Sequence, residues 1–157
     1  MQPLRYFLFS ICLIAAVGCS EEFTPTPYTY TKVFTGENNK TWKITLLEET
    51  LNDDVIEKFL PSCLSDDRYI FYANTEHTLE AISGSRKCFE DEADVTTDAW
   101  SFSNATATLT MVLPILAENA LPFIVREAEG DDMEIEIFFD ETNTSSYRIH
   151  FEAIDEE

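Results

Sequence analysis

Basic residues are scarce in this chain of 157 residues: ten Lys and Arg stand against thirty Asp and Glu, a formal net charge of −20. A field of that sign repels phosphate backbones and anionic headgroups, so nucleic-acid binding and electrostatic membrane docking are disfavoured. Glycine is rarer still, at four residues, and no Gly-rich loop is available to cradle a phosphate. Histidine is limited to His77 and His150, with no Ser-His-Asp or Cys-His arrangement around them. No acid pair sits in an apolar setting that would tune it for proton transfer. Enzymatic chemistry is therefore not expected, and no cofactor is implied. An apolar run of the roughly 20 residues needed to span a bilayer is also missing.

What the amino terminus does hold is shorter. Arg5 supplies a positive charge, and Tyr6 to Val17 is an apolar run of twelve residues, the length of a signal-peptide core. Ala16-Val17-Gly18-Cys19 follows. Small residues let a peptidase accept the backbone closely, and a terminal cysteine offers a thiol that can carry lipid. These residues resemble the bacterial lipobox at Gly18 and Cys19, and depart from it at Ala16, where Leu is usual, and at Val17. The alternative is an ordinary secretory signal with an incidental cysteine. The resemblance implies a leader over residues 1–18, acylation of Cys19, and anchoring in the bacterial cell envelope, on the outer membrane. Two or three acyl chains would hold the chain stably where one would not. Ser20-Glu21-Glu22-Phe23 looks like an acidic signal for the outer cell face, and reads equally as a solvated start to a tether.

Without the leader, nine bases face thirty acids, since residues 1–18 contain Arg5 and no acid. Cys12 leaves with the leader and Cys19 is the anchor. Cys63 and Cys88 remain as an even pair in an oxidising compartment, which predicts a disulfide. Two free thiols or a metal pair are the rivals, but the histidines offer no tight ligand spacing.

Residues 19–35 carry Thr-Pro repeats and no amphipathic period, and read as a flexible tether. Tyr28 to Phe34 could instead add an edge strand. From Gly36 to residue 157 the pattern is period-two alternation broken by turn residues, the sign of half-buried strands. Trp42, Ile44 and Leu46 alternate with polar residues. Arg68–Ala73, His77–Ser83, Trp100–Ser103, Thr108–Leu113 and Leu121–Ala128 read as further strands. Met133, Ile135, Ile137 and Phe139 share one face, with Glu134 and Glu136 on the other; Tyr147, Ile149 and Phe151 alternate with Arg148 and His150. Asn52-Asp53-Asp54 predicts the cap of a short helix over Val55–Leu60, ended by Pro61. The result is all-β: a single antiparallel up-and-down barrel of about eight strands with one short helix, or alternatively a β-sandwich.

Lys40-Thr41-Trp42, the stretch Cys63-Leu64-Ser65-Asp66-Asp67-Arg68-Tyr69-Ile70-Phe71, and Trp100-Ser101-Phe102 now stand in order. They resemble the K-x-W, C-x-x-D-D-x-Y-x-F and W-x-F motifs of lipocalin-like domains in small bacterial lipoproteins. The departure is a missing Gly in the turn after Phe71. The resemblance implies an eight-stranded barrel able to enclose a cavity, and no reaction. Trp42, Phe71, Trp100, Phe102, Phe123, Phe139 and Phe151 are the candidates to line such a cavity for a small apolar ligand; alternatively they fill the core, and acidic loops bind an envelope protein. Glu90-Asp91-Glu92-Ala93-Asp94 offers oxygen ligands without calcium-loop spacing and reads as a solvated loop. Asp66-Asp67 has the same bland reading, or hydrogen-bonds backbone near the cysteine pair.

Overall fold

The computed structural model describes residues 30–154; Cys19, the leader and the start of the tether lie outside them. A short helix, α1 (Tyr30–Thr35), leads into β1 (Asn39–Leu51), and nine strands follow. They are β2 (Asp54–Phe59), β3 (Arg68–Tyr72), β4 (Thr78–Ile82), β5 (Val95–Ala99), β6 (Ser101–Ser103), β7 (Thr108–Met111), β8 (Leu121–Glu129), β9 (Asp132–Phe138) and β10 (Ser145–Ile154). No helix among these residues is long and apolar enough to cross a membrane.

All pairings are antiparallel, in the order β5-β4-β3-β1-β10-β9-β8-β7-β6, with β2 also against β1. The outermost strands of that order, β5 and β6, are consecutive in the chain and separated by Trp100 alone. The sheet therefore curls on itself into a nearly closed barrel. Two lanes are shared: β5 runs into β6, while β3 and β2 flank successive halves of β1, at Asn39–Trp42 and Leu47–Leu51. Ten strands thus fill eight lanes. The barrel expected from the alternation is present, and the sandwich is not.

The alternation is faithful in β9 and β10, where Met133, Ile135, Ile137, Ile149 and Phe151 are buried. In β1 it slips. A bulge between Ile44 and Leu46 adds Thr45 as an extra residue, so the inward set runs Trp42, Ile44, Leu47, and Leu46 is only half-buried. Phe139, expected inward, stands 56% exposed. The strand ends at Phe138, and the Phe139 N–H already bonds Ser145 O across the mouth of the following hairpin loop, so the two-residue period no longer applies.

The short helix expected over Val55–Leu60 is instead β2. Asn52 and Asp53 adopt φ of 52° and 66°, the left-handed pair that a two-residue type I′ hairpin requires. Asn and Asp tolerate that conformation as readily as they cap helices, so β1 turns directly into β2, with Leu51 opposite Asp54. The one helix lies earlier. Residues 30–35, read as tether, form α1, and Gly36 at φ 59° closes it with its N–H on Lys32 O.

Phe34 explains why that helix belongs to the domain. Its side chain is fully buried, with ring centroids 5.2 Å from Phe102, 5.8 Å from Trp100 and 6.2 Å from Phe71. Its carbonyl accepts the buried Trp42 Nε1–H at 2.9 Å. Replacing Phe34 by Ala removes the ring from a packed site, and should cost about 3–5 kcal/mol. A urea titration should show the midpoint fall accordingly; an unchanged midpoint would return residue 34 to the tether.

Candidate functional site

The seven aromatic candidates divide. Trp42, Phe71, Trp100, Phe123 and Phe151 are buried, Phe102 is half-buried, and Phe139 is outside. The buried rings meet one another edge-on: Phe71 against Trp100 at 5.5 Å and Tyr69 against Phe151 at 5.6 Å, with Phe34 wedged among Phe71, Trp100 and Phe102. Trp42, Phe71 and Phe123 keep no accessible surface. A groove touches this set through Phe151, and it opens on the outer wall beside Glu134 and His150.

That outer wall holds a group that alternation assigns to solvent. Glu136 lies opposite Arg148 on β10 and has 0% exposure. It accepts hydrogen bonds from Arg126, Arg148 and the Ser146 hydroxyl, and Ser146 in turn shares a bond with Thr50 of β1. Burial alone would push its carboxyl upward; the Ser146 and Arg126 donors outweigh that and hold it below the ordinary glutamate range. Glu48, also buried, pairs with Lys58 of β2. Polar character in the sequence does not reveal this, because the arginines that cover Glu136 come from separate strands.

One end of the barrel is organised by the cysteine pair. Cys63 and Cys88 are disulfide-bonded, Cα to Cα 5.2 Å, joining the segment before β3 to the loop before β5. The same two segments are clamped by the paired aspartates. Asp67 Oδ1 accepts the Gly84 N–H at 2.8 Å, and Asp66 Oδ2 accepts the Ser85 N–H and hydroxyl, both at 2.8 Å. The hydrogen-bonding role expected for Asp66-Asp67 is therefore present. It also fixes Gly84: a Cβ there would fall 2.1 Å from Asp66 Cγ.

The acidic run 90–94 is partly structural. Glu92 turns inward, accepting the Cys88 N–H at 2.5 Å, the Phe89 N–H at 3.3 Å and the Ser83 hydroxyl at 2.5 Å. Asp94 pairs with Lys87 at 2.9 Å. Among the described residues no three His, Cys, Asp or Glu side chains gather as a metal site. Phe89, at 55% exposure, stands beside these acids and borders an open groove of about 470 Å³ with Pro114, Ile115 and Leu116. The turn that departs from the family pattern is built differently: Asn74 Oδ1 accepts the Thr78 N–H, and His77 adopts the φ of 49° that a glycine would supply.

Comparison with protein-family models, with curated proteins and with solved structures gives no match.

Two outcomes follow for stability. Reducing the 63–88 bridge, which closes a separation of 25 residues, should cost about 3.5 kcal/mol on the chain-entropy account, read as a drop in urea midpoint with reductant. Glu136→Gln should cost about 2 kcal/mol at neutral pH, by losing charge-assisted bonds. Because the folded-state carboxyl titrates lower than the unfolded one, its contribution is present above the unfolded value and fades as pH falls through the folded value. The gap in urea midpoint between parent and variant should therefore narrow on going from pH 7 to below the glutamate range; a constant gap would mean the charge of Glu136 contributes nothing.

Proposed function

We propose that the chain is a non-enzymatic lipoprotein of the bacterial envelope, held on the outer membrane through acyl chains on Cys19. Its barrel serves as a scaffold whose acidic end engages another envelope protein. The observation that carries this reading is the contrast between the barrel's two surfaces. Inside, the aromatic side chains are spent on one another. Outside, at the disulfide-bonded end, Phe89 is left exposed among Asp91, Glu92 and Glu118. An exposed apolar patch rimmed by charge is the usual form of an interaction surface. Packing of the interior rings favours this exterior site over an enclosed small apolar ligand, the reading that barrel topology alone supports. The surplus of acid favours a cationic partner and gives it a salt-dependent approach.

Metabolic labelling with an alkyne fatty acid should mark the chain in its host, and Cys19→Ser should abolish the mark. Crosslinking in intact cells followed by capture should yield a defined envelope protein at low salt and lose it at high salt. A retained small apolar molecule in native mass spectra, with no protein captured, would favour the ligand reading instead.

A further inference from the structure

Beyond the last β8–β9 pair, Ile124 opposite Glu136, β9 and β10 continue as a hairpin beside the β1–β2 hairpin. Leu51, Val55, Ile56 and Phe139 belong to these two hairpins, and they are four of the six large hydrophobic side chains exposed among the described residues. Apolar surface gathered in one place marks a contact region, where the same side chains scattered singly would not.

One face of the hairpins continues the barrel interior. Side chains alternate along a strand, and residues directly opposite share a face. From buried Leu47 that face steps to Glu49 and Leu51 on β1, and from buried Ile149 to Tyr147 on β10. Phe59 and Glu57 of β2 lie opposite Leu47 and Glu49. The Tyr147 ring meets Phe139 at 4.9 Å and Phe59 at 6.2 Å, both edge-on. The strip ends in solvent, with Phe139 56% and Leu51 45% exposed.

Within this strip Glu49 faces Glu57 directly across the β1–β2 ladder, with Tyr147 on its other flank. Like charges so placed repel and weaken a sheet. Among the described residues no donor or base meets either carboxylate. The bases of these hairpins serve the opposite wall, Lys58 on Glu48 and Arg148 on Glu136 and Asp53. An unrelieved acid pair beside exposed rings complements arginine above all. Its planar fork carries five donors, enough to bridge two carboxylates, and it packs well on aromatic surface. Anionic lipid is repelled by Asp53, Asp54, Asp140 and Glu141 at the hairpin turns. A second copy would set these glutamates against their own kind.

We infer that this face docks a protein partner through an arginine, the guanidinium seated between Glu49 and Glu57 and adjoining apolar residues of the partner laid on Tyr147, Phe139 and Leu51. The face shares no residue with the groove at Phe89. The inference rests on the reading of the barrel as an interaction module, and adds to it a second surface with one chemistry.

The probe is the peptide acetyl-Arg-Gly-Phe-amide, with citrulline in place of arginine as the uncharged control, followed by amide chemical shifts of the 15N-labelled chain. Saturable shifts are expected at Glu49, Glu57, Phe139 and Tyr147, with the arginine peptide about tenfold tighter than the control. Glu57→Gln should weaken the arginine peptide about tenfold and leave the control unchanged. Its urea midpoint should stay at or above the parent's, because the like-charge pair is relieved. Phe139→Ala, at an exposed position, should weaken both peptides alike. Equal affinity for the two peptides, or indifference to Glu57→Gln, would overturn the site. A lower midpoint for Glu57→Gln would assign Glu57 a role inside the fold and overturn the premise. Capture in cells that persists through Glu57→Gln and Phe139→Ala would place the partner elsewhere, sinking this face while the interaction reading stands. A face that binds the arginine peptide in a chain that captures no partner would rule out a protein as its occupant.

Discussion

The barrel depends on one seam. The first and last strands pair along nearly their whole lengths, from Thr41 opposite Ile154 to Leu51 opposite Ser145. Apart from β1–β3, which spans β2, every other pairing in the ring joins neighbours in sequence, and could form in an open sheet. Only the β1–β10 seam brings together residues a hundred positions apart, and only it removes the two exposed edges such a sheet would leave. β1 also carries more than its lane. It supports β3 and β2 on its other side, and its Trp42 holds α1 by the Phe34 carbonyl. The register of the seam sets which way Trp42 points, so the plug at that end depends on the closure. The Thr50–Ser146–Glu136 chain of hydrogen bonds crosses the same seam on the outer wall. A closure of such long sequence separation is also the step that topology makes slow, since loop entropy is lost before the contacts form.

Much of this was legible where a single physical rule governed. Alternation in β9 and β10 identified the inward residues because both strands are regular and half-buried. The cysteine pair and the Asp66-Asp67 backbone role were legible for a similar reason, each resting on local chemistry. Legibility failed where one residue type serves two geometries. Asn52-Asp53 suits a helix cap and a type I′ turn equally, and the exposed Val55 and Ile56 of β2 imitate an apolar helix side. β5, Val95–Ala99, was missed because its side chains are mostly exposed and leave no alternation to read. Phe34 stood among Thr-Pro repeats, and nothing local indicates that a ring from outside the sheet would fill the barrel. Glu136 was assigned to solvent correctly as to face, and wrongly as to burial. Cover by arginines from β8 and β10 is a property of three strands together.

The candidate site was legible only in part, for the same reason. The run 90–94 looks like a solvated loop, and at Asp91 it is one; nothing in its composition singles out Glu92 as the acid that turns inward. The Tyr69 ring packs on Phe151. Asp67, two residues earlier, finds its backbone partner at Gly84, on the loop between β4 and β5. Such a site is assembled by topology, so no window of sequence contains it.

Most of the chain's few bases are already committed to its own acids. Of the nine bases after residue 18, Lys32, Lys40, Lys43, Lys58, Lys87, Arg126 and Arg148 are paired with acids of this same chain. Seven of nine are thus already committed, and the two arginines on the outer wall share one carboxylate, Glu136. The remaining acids have few internal bases to meet. Exposed acids cost little in water, since solvent screens them, but an acid buried like Asp67 is not screened and relies on the Gly84 amide and the nearby Lys87 ammonium, which together do not offset its burial.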